Sequence, residues 1–382
     1  MEKLKKILIV CGEASGDLHA AELVKAIKDI YPSVRFTGLG GKKLKAEGVE
    51  LYYDLTKLAV IGFWEVLRHI KTFKKIFRRV LDEATKDKPD LAVLVDYPGF
   101  NLRLAEKLHE MGIPVIYYIS PQVWAWGKNR MKSIKKNIDR MVVLFPFEEK
   151  LYQQNNMPVS FVGHPLLDVV KANEPRSSFL AKQGLSPDKL TISLLPGSRE
   201  KEVNSLLPVM LKSCQEINEY FYGRAQFLIL RSPTVKKELF DQALIGLKIP
   251  LKVISDATYD SIAASDFCLV CSGTATLETG ILSTPMVILY KVNFLTWAFI
   301  RMMIKIPYIG LVNVVKERKV CEEFIQFQCN PRDICDYLIP VLQDKDRLSR
   351  LKLDLLDIRQ KLGDAGASQK AARIIVEALK RS

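Results

Sequence analysis

The stretch Leu194-Leu-Pro-Gly-Ser-Arg-Glu200 decides how this chain is read. It closes an apolar, β-branched run, turns at Pro196 and Gly197, and opens an amphipathic stretch. Ser272-Gly-Thr-Ala-Thr-Leu-Glu278 repeats the arrangement after Phe267–Cys271. A Gly/Ser turn between a buried strand and a helix leaves backbone N–H groups and the positive end of the helix dipole at the turn, where an anion is favoured. Arg199 adds a planar fork of donors matched to phosphate oxygens. Glu278 lies one turn into the second predicted helix, where a carboxylate could accept ribose hydroxyls. Gly197, Ser198, Arg199, Ser272, Gly273, Thr274 and Glu278 together read as a nucleotide-diphosphate pocket, which points to an enzyme that uses an activated donor.

The same alternation runs outward along the whole chain. Short apolar runs separated by amphipathic stretches are the pattern of a parallel α/β sheet. In the first half, strands are predicted at Lys6–Gly12, Val34–Gly38, Leu91–Val95, Pro114–Ile119, Arg140–Leu144 and Val159–Val162, with helices between them such as Leu18–Tyr31 and Leu102–Met111. The pattern restarts at Leu190–Leu195 and continues through Gln226–Leu230, Leu251–Ile254, Phe267–Cys271 and Met286–Tyr290. Gly163-His-Pro-Leu-Leu-Asp168 and the polar stretch Lys171–Lys189, with Pro175 and Pro187, mark the join. The expected fold class is α/β: two Rossmann-like domains facing a cleft, residues 1–165 and 166–365. A final Ala-rich helix within 366–382, roughly Ser368–Leu379, is of the kind that often crosses back to the first domain. Ligands of open parallel sheets sit beyond the carboxyl ends of the strands. Gly12–Asp17, Asp96–Asn101, Ser120–Trp126, Pro196–Arg199 and Ser272–Glu278 all fall there and are expected to face one cleft from two sides.

Composition bounds the function. The 382 residues are ample for two domains, and a charged fraction of 26% fits a globular protein. A formal net charge of +14 predicts attraction to something anionic: nucleic acid, a phosphate-bearing substrate or an acidic membrane face. Met1-Glu-Lys-Leu-Lys-Lys6 leads straight into a strand-like run with no signal region, so a cytoplasmic location is expected. The seven scattered cysteines read as free thiols; Cys268 and Cys271 have CxxC spacing but lie in a buried-strand pattern with no second pair. The apolar segment beginning at Val292 is interrupted by Arg301, Lys305 and Pro307 before it reaches the roughly 20 residues a membrane span needs.

Three further motifs carry chemistry. Gly12-Glu-Ala-Ser-Gly-Asp17 lacks the glycine spacing of the dinucleotide fingerprint. It reads as a tight turn near substrate with Glu13, Ser15, Gly16 and Asp17 as contacts, or as a helix cap supplied by Ser15 or Asp17. Asp96-Tyr-Pro-Gly-Phe-Asn101 follows a buried strand, so Asp96 is partly desolvated and its pKa is raised toward the range of a general base. Asn101, counted with Glu13, Ser15 and Gly16 on the substrate side, is the expected N-cap of the next helix, which leaves Asp96 for function. In Ser120-Pro-Gln-Val-Trp-Ala-Trp126 the two tryptophans pack the loop onto the core, or one of them meets a sugar or acyl chain.

Leu58–Leu81 spaces Phe63, Trp64, Leu67, Ile70, Phe73, Phe77 and Val80 helically, with Arg68, Lys71, Lys74, Lys75, Arg78 and Arg79 between them. A basic amphipathic helix with aromatics is what an interfacial binder looks like, with Val60, Ile61, Phe63, Trp64 and Leu67 as lipid contacts; the alternatives are an ordinary crossover helix packed on the sheet, or a mixed one with one end buried and Val60–Trp64 on lipid. No nucleic-acid motif accompanies the lysines. No histidine has metal-ligand spacing, HExxH and GxSxG are missing, and no DxD or Asp/Glu cluster falls where a divalent ion would be held. No metal and no cofactor is therefore expected, and the leaving group is expected to be stabilised by N–H groups and Arg199.

These motifs, taken in order with Phe145-Pro-Phe147 and Gly163-His164, resemble the lipid-A-disaccharide synthase family from the first strand to beyond residue 330. The resemblance implies an inverting glycosyltransferase of GT-B architecture, with the acceptor and membrane on the side of residues 1–165 and the UDP-sugar donor on the side of residues 166–365. It implies transfer of diacylglucosamine from UDP-2,3-diacylglucosamine to the 6-hydroxyl of 2,3-diacylglucosamine 1-phosphate, giving the β-1′,6-linked disaccharide 1-phosphate and UDP. It makes Asp96 the base, Arg199 and its turn the diphosphate site, and Glu278 the ribose site. Asn313, Arg318, Glu323 and Gln326 look like the family's late nucleotide-side segment. Here Asp96 precedes Tyr97-Pro-Gly, where the family pattern often carries a second carboxylate. The resemblance further implies a peripheral protein on the inner face of the cytoplasmic membrane, and a possible homodimer with exchanged C-terminal segments.

The rival readings are another GT-B enzyme and a non-catalytic protein. The first would be a glucosamine transferase with a lipid-linked acceptor or a UDP-sugar epimerase. The second would bind nucleotide or anionic lipid at the membrane without turnover.

Overall fold

The computed structural model describes residues 4–56, 70–123, 130–294, 297 and 307–381. The chain divides into two compact units, Met1–Asp168 with Leu362–Ser382, and Val169–Lys361. The expected membrane contacts Val60, Ile61, Phe63, Trp64 and Leu67, and the tryptophans Trp124 and Trp126, lie outside the described residues.

The first unit holds a seven-stranded parallel sheet in the order β3-β2-β1-β4-β5-β6-β7. The strands are β1 Lys5–Cys11, β2 Val34–Gly40, β3 Glu50–Asp54, β4 Leu91–Val95, β5 Val115–Tyr118, β6 Arg140–Val143 and β7 Val159–Phe161. Strand residues alternate between the two faces, and both faces are covered, so the central strands are apolar throughout. On one face Ile7 and Ile9 pack with Leu23, Val24 and Ile27 of the helix Ala14–Ile30, and with Ile375, Val376 and Leu379 of the last helix, Ala367–Arg381. On the other, Leu8 and Val10 join Ile76 and Val80 of the helix Ile70–Lys86 and Leu104 of the helix Pro98–Glu110.

The second unit holds a six-stranded parallel sheet, β10-β9-β8-β11-β12-β13. Its strands are β8 Leu190–Leu195, β9 Ala225–Leu230, β10 Leu251–Ile254, β11 Phe267–Cys271, β12 Met286–Tyr290 and β13 Glu322–Ile325. Val203, Leu206, Leu207 and Met210 of the helix Glu200–Tyr220 seal its core. Strand order reverses between β1 and β4 in one sheet and between β8 and β11 in the other. At such a switch point the connections leave in opposite directions and open a crevice at the carboxyl ends. Register carries this to particular residues. Cys11 pairs with Val95, so the turns after β1 and β4 lie side by side. Leu195 pairs with Val270, so the turns after β8 and β11 do likewise.

The structure differs from the sequence reading at three places. The helix expected at Leu102 begins at Pro98, whose fixed φ and missing N–H suit the first helical turn. The helix expected at Leu18 begins at Ala14. The edge strands β3 and β13 were not anticipated, because Glu-Leu-Tyr-Tyr-Asp and Glu-Glu-Phe-Ile are short and carry charge, as edges do.

Candidate functional site

In the second unit the turns after β8, β9, β10 and β11 line one cavity of about 690 Å³. Gly197, Ser198, Arg199, Ser272, Gly273, Thr274 and Glu278 all reach it, so both glycine turns serve a single space. Gly197 has φ +120° and Gly273 φ +146°, conformations that suit glycine. The helices Glu200–Tyr220 and Thr274–Ile281 start at these turns and aim their N-termini at the cavity. Arg231, Ser255, Asp256 and Tyr259 complete the wall. Burial raises the pKa of Glu278, offset in part by the hydrogen bond that Tyr259 donates to its Oε1 at 3.3 Å. Burial, and then the Glu278 carboxylate, push the Tyr259 phenol up to about 12.

In the first unit a second cavity, about 410 Å³, opens at the ends of β1, β4, β5 and β6. Glu13, Asp96, Tyr97, Ser120, Phe145 and Glu148 are among its lining residues. Asp96 and Tyr97 have φ +48° and +52°, two successive left-handed residues with side chains. Each such residue costs about 1–2 kcal/mol, so the turn persists only because its surroundings fix it. The Asp96 carbonyl accepts from Asn101 Nδ2 at 2.8 Å and from the Tyr117 hydroxyl at 2.5 Å, while its N–H donates to the Tyr118 carbonyl. The Tyr97 ring lies over Gly12, where a Cβ would stand 2.3 Å from it. Burial, reinforced by Glu13, pushes the Asp96 carboxyl up to about 6, against a backbone N–H at Tyr97 that lowers it. A carboxyl group ionised just below neutrality beside an open cavity is suited to take a proton.

A profile of the lipid-A-disaccharide synthetase family matches residues 7–377. The chain belongs to this family. The lipid-A-disaccharide synthase of Syntrophus aciditrophicus (strain SB) is 45% identical over 379 residues, 99% of each chain. The chain is therefore a glycosyltransferase of lipid A biosynthesis. Among solved structures, S. aureus MnaA with UDP superposes with a TM-score of 0.64 at 15% identity, over 98% of this chain and 97% of that one. CalG4, the calicheamicin glycosyltransferase, gives 0.62 at 14%, over 99% of each. At these identities the likeness is one of fold: the GT-B class, whose two parallel-sheet α/β units this chain also has.

The remaining residues singled out in the sequence fall in several places. Of the substrate-side group, Glu13 lines the Asp96 cavity, whereas Ser15 is exposed and outside its lining, and Gly16 is buried against Cys11 and Val95. Asn101 is not the N-cap of its helix. It is wholly buried in the first turn, and its amide donates to the carbonyls of Val10, Val95 and Asp96, tying β1 to β4 beneath the Asp96 turn. Asp17 caps a helix other than its own. Its carboxylate accepts from the N–H groups of Gly41, Lys43 and Leu44, at the start of the helix Lys42–Ala46.

Asn313, Glu323 and Gln326 lie outside the lining of the larger cavity. Asn313 donates to Glu323, which accepts from Ile309 N and Gly310 N at 3.0 Å, and Ser272 Oγ donates to the Ile309 carbonyl at 3.0 Å. Asn313 and Glu323 thus reach the Ser272 turn through Ile309. Gln326 exchanges two hydrogen bonds with the Val292 backbone. Arg318 pairs with Asp354 at 2.5 Å.

All seven cysteines are buried and none is in a disulfide. Among the described residues, no three His, Cys, Asp or Glu side chains are grouped to hold a metal ion, and no helix is long and apolar enough to cross a membrane. Sequence reasoning did not single out Arg231, Asp256, Tyr259 or Glu148. Arg231 follows directly on a predicted strand and Asp256 comes two residues after one, where ligands of such sheets sit. Tyr259 and Glu148 carry no such signal.

Proposed function

We propose that the chain transfers 2,3-diacylglucosamine from UDP to the 6-hydroxyl of 2,3-diacylglucosamine 1-phosphate with inversion. The observation that carries this reading is the single cavity shared by Arg199, both glycine turns and Glu278. In this reading Asp96 takes the proton of the acceptor hydroxyl as its oxygen forms a bond to C1 of the donor sugar. The C1–oxygen bond to the diphosphate breaks, and UDP leaves with the electron pair. The N–H groups of the two turns and the Arg199 guanidinium neutralise that charge, and Glu278 accepts from ribose hydroxyls. Asn313 and Glu323 act on the donor by holding the bend at Ile309 behind Ser272, and Gln326 by holding the backbone at Val292 beyond β12. The partners in this reading are the two acylated sugars, the anionic inner face of the cytoplasmic membrane and a second copy of the chain. The exposed cations of the helix Ile70–Lys86 and the net charge of +14 support the membrane surface.

The test is mass spectrometry of the products formed from UDP-2,3-diacylglucosamine and 2,3-diacylglucosamine 1-phosphate. A disaccharide 1-phosphate and UDP in equal amounts are expected. Asp96→Asn is expected to lower turnover by about 10²–10⁴-fold, the worth of a positioned base, with UDP affinity by calorimetry unchanged. Near-parental turnover in that variant removes Asp96 from the reaction.

A further inference from the structure

The anion cradle of the larger cavity already holds a carboxylate, and it belongs to the chain itself. Glu202 Oε2 accepts from the backbone N–H of Ser198 at 3.0 Å and of Arg199 at 3.2 Å. Glu202 Oε1 accepts from the Arg199 guanidinium at 3.0 Å. These are the donors that the turn offers to a diphosphate. Gly197 makes room for this arrangement: a Cβ there would stand 2.6 Å from Glu202 Oε2 and 2.7 Å from the Glu202 Cβ. Glu202 also lines the cavity, with Cys271 beside it.

We propose that Glu202 is a resident occupant of the diphosphate cradle, displaced by the donor's diphosphate and returning to it when UDP departs. This rests on the donor-site reading above. Two anions cannot share one set of donors, because each N–H has one strong bond to give and the like charges repel. The resident contact is built to yield. The Arg199 side chain is 75% exposed and that of Glu202 28%, so water screens the pair. A diphosphate brings more charge to the same three donors and outcompetes a single carboxylate. A phosphate-free nucleoside has nothing to exchange for it. After transfer, Glu202 competes with UDP for the turn and hastens product release. Capping of the helix Glu200–Tyr220 accounts for the bond to Arg199 N, since a Glu three residues into a helix commonly reaches back to the N-cap. The further bonds to Ser198 N and to the guanidinium go beyond a cap.

The experiment is calorimetric titration of the full chain with UDP and, separately, with uridine, comparing the parent with Glu202→Gln, Glu202→Asp and Arg199→Ala. Glu202→Gln keeps an acceptor for the cap but loses the charge. Glu202→Asp is one methylene too short to span the turn. Both variants are expected to bind UDP about tenfold tighter than the parent, the order of one charge-assisted hydrogen bond released from competition. Uridine affinity stays the same, and UDP dissociation slows in stopped flow. UDP affinity that is unchanged or weaker in both variants overturns the proposal and leaves Glu202 a helix cap. If the parent binds UDP no better than uridine, or Arg199→Ala binds it as the parent does, the donor-site reading itself has failed.

Discussion

Asp96 shows how one residue's surroundings set its chemistry. Its place at the end of β4 is visible in the sequence, because a carboxylate after Leu91–Val95 has little else to do there. What holds it is not visible: Asn101 reads as a cap, Tyr117 as a strand residue, and neither announces that it bonds the Asp96 carbonyl. The pKa carries a testable sign. In its proposed role as base Asp96 must be ionised, so with its carboxyl pushed up to about 6 kcat/KM is expected to climb with pH through that value and level off above it. Glu13→Gln removes the second cause of the shift, so the acidic limb is expected to move to lower pH. A limb that stays in place in the pH–rate profile dissociates Glu13 from Asp96. Stability runs the other way. A raised carboxyl is neutral and harmless below its unfolded pKa of 3.8, and becomes destabilising as pH rises through the folded value. Asp96→Asn is therefore expected to stabilise the protein at pH 8 by up to about 3 kcal/mol and to change nothing at pH 3.5, by denaturant unfolding.

The helix Ile70–Lys86 poses the same question at the scale of an element, because its sequence supports two uses at once. Ile76, Val80 and Ala84 are buried in the sheet core, with Phe77 edge-on to Phe100 at 5.4 Å between ring centres. That settles the crossover role for this stretch. Lys71, Lys74, Lys75, Arg78 and Arg79 are all exposed, which leaves a basic face unspent. The two roles separate by mutation. Ile76→Ala is expected to cost about 2–5 kcal/mol of stability, read by urea unfolding, as a core truncation does. Lys71, Lys74 and Lys75 all changed to Gln should leave stability alone and weaken binding to anionic vesicles by one to two orders of magnitude, since each cation near such a surface is worth about 1 kcal/mol. Equal partitioning of parent and triple variant in vesicle flotation assigns the charge to solvation only. Periodicity located this helix because 3.6-residue spacing survives either use. It could not find β3 or β13, where an edge position removes the apolar signal it relies on.

At the scale of the whole molecule, the chain's last stretch is spent on its first unit. The pattern of the final helix was legible as an Ala-rich amphipathic repeat; its docking site was not, because no local rule ties residue 371 to residue 20. The anchor lies just before it. Gly163 has φ +85°, and a Cβ there would meet the Asp364 carbonyl at 2.5 Å, so the motif read as Gly163-His164 is a close crossing of two chain segments. His164 N–H donates to the Leu362 carbonyl, and Gly366 N–H donates to Asp168 Oδ1 at 2.8 Å. Beyond this crossing, Ala371, Ala372, Ile375 and Leu379 are wholly buried against the helix Ala14–Ile30 and β1. Unit 1 is thus completed by a segment made after unit 2, and its stability depends on a contact that closes last in the chain. Leu379→Ala is expected to cost about 2–5 kcal/mol there, and so to lower the melting temperature of that unit by roughly 5–15 °C. Leu353→Ala, at a position 63% exposed in unit 2, serves as the control and should move neither transition. Differential scanning calorimetry decides it, with UDP added to mark, by raising it, the transition of the unit proposed to bind the donor. A fall confined to the transition that UDP does not raise is the expected result. A fall in both together would mean that the two units unfold as one cooperative body.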